Sequence, residues 1–176
     1  MRRMLTGVLC AAAMSTALAA ATTTVPATIA AIGGGHYFIN TLNLEMQFGF
    51  SAIRHDNGDA SGSFHHRGVL GGLSIDFEGR ITCLSVDEIN RRAWIGGVIV
   101  KNDSENPSFQ TAVHQVGHDI WFRVVDLGHG QSGELDRSTF IGFEGAIPSS
   151  ANYCETMPWP ANNERTWAVT GNVSVH

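Results

Sequence analysis

Between Leu42 and Ala52 every second residue is apolar: Leu42, Leu44, Met46, Phe48, Phe50 and Ala52 alternate with Asn43, Glu45, Gln47, Gly49 and Ser51. A period of two sorts the sets onto opposite faces of an extended chain, so the segment predicts a long half-buried strand. Asp56-Asn57-Gly58 follows and reads as a three-residue hairpin loop with Gly58 in the left-handed position. With His55 and Asp59 flanking that loop, Ala52 falls opposite Gly62, Phe50 opposite Phe64 and Phe48 opposite His66. A two-residue Asn-Gly loop would set Phe50 against His65 and break the apolar match. The register therefore turns His66 toward the Phe48/Phe50 face.

The rest of the chain repeats this grammar. Leu73, Ile75 and Phe77 open a second alternating run, interrupted at Gly79, where a bulge is expected, and resumed from Ile81 to Val86. Residues 93–100 and 120–125 read as strands, 139–143 as a short one, and 169–175 as the last. Asn106-Pro107 followed by Phe109, Ala112, Val113 and Val116, with Gly117 beyond, predicts one short helix over 107–116. The region from Pro148 to Asn163 reads as loop, tied down by Cys154. At 176 residues the chain is one domain's length. Seven or eight strands joined by glycine turns, with one short helix, make it all-β: a single-domain antiparallel barrel or sandwich.

The first residues read as an address. Arg2 and Arg3 precede an uncharged stretch from Leu5 to Leu18, and Ala17-Leu18-Ala19 supplies small residues for cleavage. Residues 1–20 are thus expected to be a secretory signal peptide. A membrane anchor is the alternative, but the stretch is short for ~30 Å of hydrocarbon. Residues 21–35, Thr/Ala-rich and ending in Gly33-Gly34-Gly35, read as a flexible leader, which leaves 36–176 as the β-domain. The expected location is secreted or periplasmic. Cleavage would remove Cys10 and leave Cys83 and Cys154, a pair expected to be oxidised outside the cytoplasm. A closed loop of about 70 residues stabilises by roughly 4 kcal/mol in the chain-entropy account. The alternative, a free or catalytic thiol, needs a base beside it that the sequence does not indicate.

The short motifs occur in an order that resembles a group of small exported bacterial proteins of unassigned function. The matching stretches are Met46 to Ala52, Ile81-Thr82-Cys83-Leu84-Ser85-Val86, Ala93-Trp94-Ile95-Gly96-Gly97 and Val124 to Gly130. The single downstream Cys154 and the terminal Gly171-Asn172-Val173-Ser174-Val175 complete the series. The group favours an acidic residue where this chain has His129, and an aromatic near His66. The resemblance implies an exported all-β protein with a disulfide and no particular activity.

Chemistry has few candidates. Eleven Lys+Arg against 16 Asp+Glu give a net charge of −5, Lys101 is the one lysine, and no basic run is present, which argues against nucleic acid as a partner. Eight histidines raise the question of a metal. His114 and His118, four apart, would be neighbours on a continuous helix, but Gly117 is expected to end it between them. Four residues along a strand span about 13 Å, too far for one ion. No GxSxG is present for serine hydrolysis, and Glu45 with Gln47 reads as a polar sheet face rather than a carboxylate pair. The triple Gly33–Gly35 and Gly71-Gly72 lack the strand-to-helix context of a phosphate loop. His129 in the Asp126–Gly130 turn has Asp126 nearby, with an ordinary Asp-stabilised turn as the plainer reading.

His66 with Phe48 and Phe50 makes a candidate site if that face lines a barrel interior. A hydrogen-bonded core histidine is the alternative. Trp94 and Trp121 are expected in the core, whereas Trp159 and Trp167 are the candidates for stacking on a sugar. The leading expectation is a non-enzymatic binding or structural role, with an extracellular protein, glycan or small apolar ligand as partner and no cofactor. A barrel holding a small apolar ligand comes next, then an enzyme with a histidine-held metal.

Overall fold

The computed structural model describes residues 29–128, 133–142 and 147–176. Nine strands follow one another: β1 (Ile29–Ile39), β2 (Leu44–Arg54), β3 (Ala60–Leu70), β4 (Leu73–Asp87), β5 (Arg92–Asn102), β6 (Asp119–Val125), β7 (Arg137–Thr139), β8 (Thr166–Ala168) and β9 (Thr170–Val175). Among the described residues a single α-helix, α1 (Ser150–Thr156), lies between β7 and β8. They form one antiparallel sheet in the order β8-β7-β6-β5-β4-β3-β2-β1-β9. Only Val169 separates β8 from β9, so the two edges of the sheet meet and nearly close a barrel.

Two buried carboxylates bridge the remaining gap. Asp136 Oδ2 accepts from Val173 N at 2.8 Å and its backbone oxygen from Val169 N at 2.7 Å. Asp126 Oδ2 accepts from Val175 N at 3.4 Å and from Arg91 Nη2 at 2.6 Å. These N–H groups face away from β1, the strand that pairs β9, and would otherwise be left without acceptors at a sheet edge.

The β2–β3 hairpin has the expected register. Ala52 pairs Gly62, Phe50 pairs Phe64 and Phe48 pairs His66, and His55 N donates to Asp59 O at 2.8 Å across a loop whose Gly58 has φ +86°. Gly79 stands opposite Phe64 in β4, with a register shift at Glu78/Gly79. A Cβ there would lie 1.8 Å from Phe64 Cζ, so the glycine is the space into which the ring fits. The interior is filled from every wall, by Met46, Phe48, Phe50, Phe64, Ile75, Phe77, Ile95, Phe122 and Val173 among others.

Six expectations are corrected. The strands number nine among the described residues, because β1 and β8 join those expected, with the last strand starting at Thr170 rather than Val169. The expected leader 21–35 becomes strand at Ile29: Gly33, Gly34 and Gly35 pair with Phe50, Gly49 and Phe48 on one side and with β9 on the other. Glycine is required rather than slack at Gly33, where a Cβ would come within 2.9 Å of Phe50 Cε1. Residues 21–28 and the signal segment lie outside the described residues. Leu42 belongs to a single 3₁₀ turn, Asn40–Leu42, and the strand starts at Leu44.

The helix over 107–116 is absent. Asn106 does cap, accepting from Ser108 N at 3.0 Å, but only the 3₁₀ turns Pro107–Phe109 and Ala112–His114 form. Phe109 is buried while Val113 and Val116 are 64% and 62% exposed, so the apolar stripe has nothing to pack on for its full length. The short strand expected at 139–143 is β7, two residues earlier; Phe140 and Ile141 leave the ladder but stay buried.

The helix that exists, α1, lies within the stretch read as loop. Ser149 caps it, accepting from Asn152 N at 3.1 Å, and Asp119 Oδ2 accepts from Ser150 N at 2.8 Å. It packs on the outer face of β4, β5 and β6, where Gly96 has no side chain to keep it off: a Cβ would meet Ser150 Cβ at 2.8 Å. The Cys83–Cys154 disulfide joins β4 to α1 over a Cα–Cα distance of 6.2 Å. No helix among the described residues is long and apolar enough to cross a membrane.

Candidate functional site

Two places gather the candidate residues. The first is the barrel interior. His66 on β3 is wholly buried, with the rings of Phe122, Phe48 and Phe64 at 5.1, 5.7 and 6.1 Å from its own. Phe50 completes the group, 6.2 Å from Phe48 and 5.3 Å from Phe122. Neither His66 nitrogen has a hydrogen-bond partner among the described residues. Burial, helped by the neighbouring His65, pushes its pKa down to about 3, so the imidazole is neutral in ordinary conditions. Tyr37 on β1 is buried beside Phe48, and its hydroxyl has no partner among the described residues. Desolvation raises its pKa far above the usual phenol range. Trp167 stacks on Tyr37 at 6.1 Å. The expectation of an outward stacking surface at Trp167 is therefore corrected: β8 turns this half-buried ring to the interior, since it pairs Ser138.

The second place is the outer face of β5 and β6, beneath the segment that runs from α1 to β8. Trp94 pairs Arg123 and Gly96 pairs Trp121. Period two puts Arg92, Trp94 and Gly96 on one face of β5, and Trp121 and Arg123 on the matching face of β6. Tyr153 of α1 stacks on Trp121 at 5.8 Å, and Trp94 Nε1 donates to Pro158 O at 2.8 Å. Trp159 stands edge-on to Trp94 at 5.7 Å and donates from Nε1 to Asn163 Oδ1 at 3.0 Å. Two guanidinium groups lie against the Trp159 ring, Arg92 at 4.4 Å and Arg123 at 5.3 Å from its centroid. Arg123 is wholly buried and donates from Nη2 to Glu164 O at 3.1 Å. Arg137, on the same row as Arg92 through Val125, donates to Thr166 Oγ1 and O at 2.8 and 2.7 Å. It lines a surface cleft of about 400 Å³ together with Glu134, Leu135, Asn163 and Ala168.

The histidine pair is not assembled. His114 sits in a 3₁₀ turn against Phe109 and Phe77, with Nδ1 2.8 Å from Thr111 Oγ1. His118 is exposed at the approach to β6. The helix that would have stacked the two rings does not form, and no group of three or more His, Cys, Asp or Glu residues is arranged to hold an ion among the described residues. Asp126 Oδ1 accepts from Gly128 N at 2.9 Å; His129 and Gly130 lie outside the described residues. Glu45 is exposed on the outer face.

Sequence reasoning did not single out Arg92, Arg123, Arg137 or Tyr37. A signal for two of them was present: Arg92-Ala-Trp94 and Trp121-Phe-Arg123 each put an arginine and a tryptophan on one strand face. No family model, no curated protein and no solved structure matches this chain.

Proposed function

We propose that this chain is an exported, non-enzymatic binding domain, secreted or periplasmic, whose barrel is a solid scaffold and whose recognition surface is the outer face around Trp159. The observation that carries the reading is the filled interior. Phe48, Phe50, Phe64, His66 and Phe122 touch one another across the middle of the barrel at 5.1–6.2 Å, which leaves recognition to the outside. The signal-like N-terminus and the disulfide support export. Neither His66 nitrogen is hydrogen-bonded to a carboxylate or a nucleophile among the described residues, the arrangement on which acid–base or covalent catalysis by a histidine relies.

One observation favours a second reading, a small apolar ligand with a polar end held near His66. The His66 nitrogens and the Tyr37 hydroxyl are buried without partners among the described residues, and each such group costs about 1–3 kcal/mol. Native mass spectrometry of the protein exported with its own signal, compared with the denatured spectrum, separates the two. The expected result is the bare chain, two hydrogens lighter than its sequence. A stoichiometric small molecule that leaves on denaturation, and is absent from His66→Phe, would overturn the first reading in favour of the second.

A further inference from the structure

If recognition belongs to the outer face, as proposed above, the side chains there select a ligand class. We propose that the surface around Trp159 binds an acidic polysaccharide, with Arg92 and Arg137 taking its carboxylate groups and the half-exposed Trp159 ring lying against a sugar face. Three observations support this. Arg92 and Arg137 occupy one outer row, on β5 and β7 with β6 between, which sets their Cα atoms about 10 Å apart. Two anionic groups on successive units of a polymer can span such a gap. Neither guanidinium has a carboxylate within ion-pair distance among the described residues. Both are nonetheless positioned, Arg92 over the Trp159 ring and Arg137 by Thr166, so little side-chain freedom is lost on binding, and guanidinium N–H groups remain to meet a carboxylate in a fork.

The neighbouring acids bear on the choice. Asp87 pairs Arg92 in register and feels its charge, with the Asn90 hydrogen bonds, from N and Nδ2 at 3.0 and 2.6 Å, the larger influence on its carboxylate. Glu134 shares the Arg137 cleft and limits the charge that end can accept. A saccharide is favoured over an acidic peptide because an indole ring and the Asn163 amide adjoin the two cations. Buried Arg123 keeps positive charge beneath Trp159, while the chain as a whole carries −5. General attraction of polyanions is thereby opposed, and binding has to come from this patch.

The test is affinity gel electrophoresis and calorimetry of the disulfide-bonded protein with polygalacturonate, neutral dextran, poly-glutamate and a single-stranded DNA oligonucleotide as probes. Expected is retardation by polygalacturonate alone, weakened by salt, with at least a tenfold rise in Kd for the Arg92→Gln/Arg137→Gln variant and none for Arg80→Gln, which sits on the neighbouring β4 opposite Val98, six residues along β5 from Arg92. Circular dichroism verifies that both variants fold. Equal binding of poly-glutamate or DNA would overturn the saccharide assignment, and equal binding of dextran would overturn the role of the two arginines. No retardation by any probe, with a bare interior by mass spectrometry, overturns this inference and leaves the outer-face reading standing. A ligand found inside the barrel overturns that reading itself.

Discussion

The barrel interior and the shell outside β5 and β6 both bury polar side chains among aromatic rings, and they differ in whether a charged one is among them. Inside, His66 and Tyr37 are kept neutral, with no hydrogen-bond partner among the described residues. In the shell, the wholly buried Arg123 donates to a backbone carbonyl and lies against the Trp159 ring, while Trp121 Nε1 nearby has no hydrogen-bond partner among the described residues. The interior is walled by a nearly closed sheet and packed with apolar side chains, so the polar group tolerated there is one that can stay neutral. The shell is only one layer deep, and the segment lying over it brings carbonyls and ring faces with it. A charge survives where partners can be delivered from a covering strand of chain.

The largest way to break the comparison is to loosen the shell while sparing the barrel. Replacing both Cys83 and Cys154 by serine removes the tie between β4 and α1 and is expected to cost about 4 kcal/mol. Urea unfolding should show this as a lower midpoint, with the near-ultraviolet signal of Trp94 and Trp121 lost before the sheet signal.

Acid acts on the interior. The native pKa of His66 is about 3, below the ~6.5 of the unfolded chain. The unfolded state therefore binds a proton that the native state refuses, and the stabilising contribution present above pH 6.5 is lost as pH falls toward 3. At about 1.4 kcal/mol per pH unit, the loss reaches roughly 3 kcal/mol by pH 4. His66→Phe should remove this slope, and should also raise stability at pH 7 by about 1 kcal/mol, since two unpartnered nitrogens disappear. Unfolding curves of the two proteins from pH 7 to pH 4 measure both effects; parallel curves would show that His66 is not the group responsible.

The smallest effect sharpens the contrast from the shell side. Arg123→Met keeps much of the packing but deletes the bond to Glu164 O and the cation on Trp159, with an expected cost of about 2 kcal/mol. Because no proton is exchanged, that cost should be the same at pH 5 and pH 8, unlike the cost of the buried histidine.

How much of this was legible depended on the distance over which the information travels. The β2–β3 register was readable because alternation and a Gly-bearing loop act within twenty residues, and His66 was placed inside by that register alone. β1 was not readable as strand, because Gly33 to Gly35 look like slack until Phe50 is known to occupy the missing side-chain volume. The helix was misplaced for a related reason. Phe109, Ala112, Val113 and Val116 have helical spacing, yet the surface that would bury all four is absent. Ser150–Thr156, two turns long, is held by Cys83, Asp119 and Trp121, contacts that no local pattern announces. The cations around Trp159 come from β5 and β6, far back along the chain, so only the Trp–Arg spacing within each strand hinted at them.

The central claim is that the middle of the barrel is filled and keeps water and charge out, and the His66 imidazole reports on this directly. Following its carbon and nitrogen resonances by NMR from pH 8 downward should show a neutral ring that does not titrate until about pH 3 or until the fold is lost. A midpoint near 6.5 in the folded protein, the ordinary value of a solvated histidine, would mean that water or a polar molecule reaches the ring, and would contradict the account of a solid scaffold.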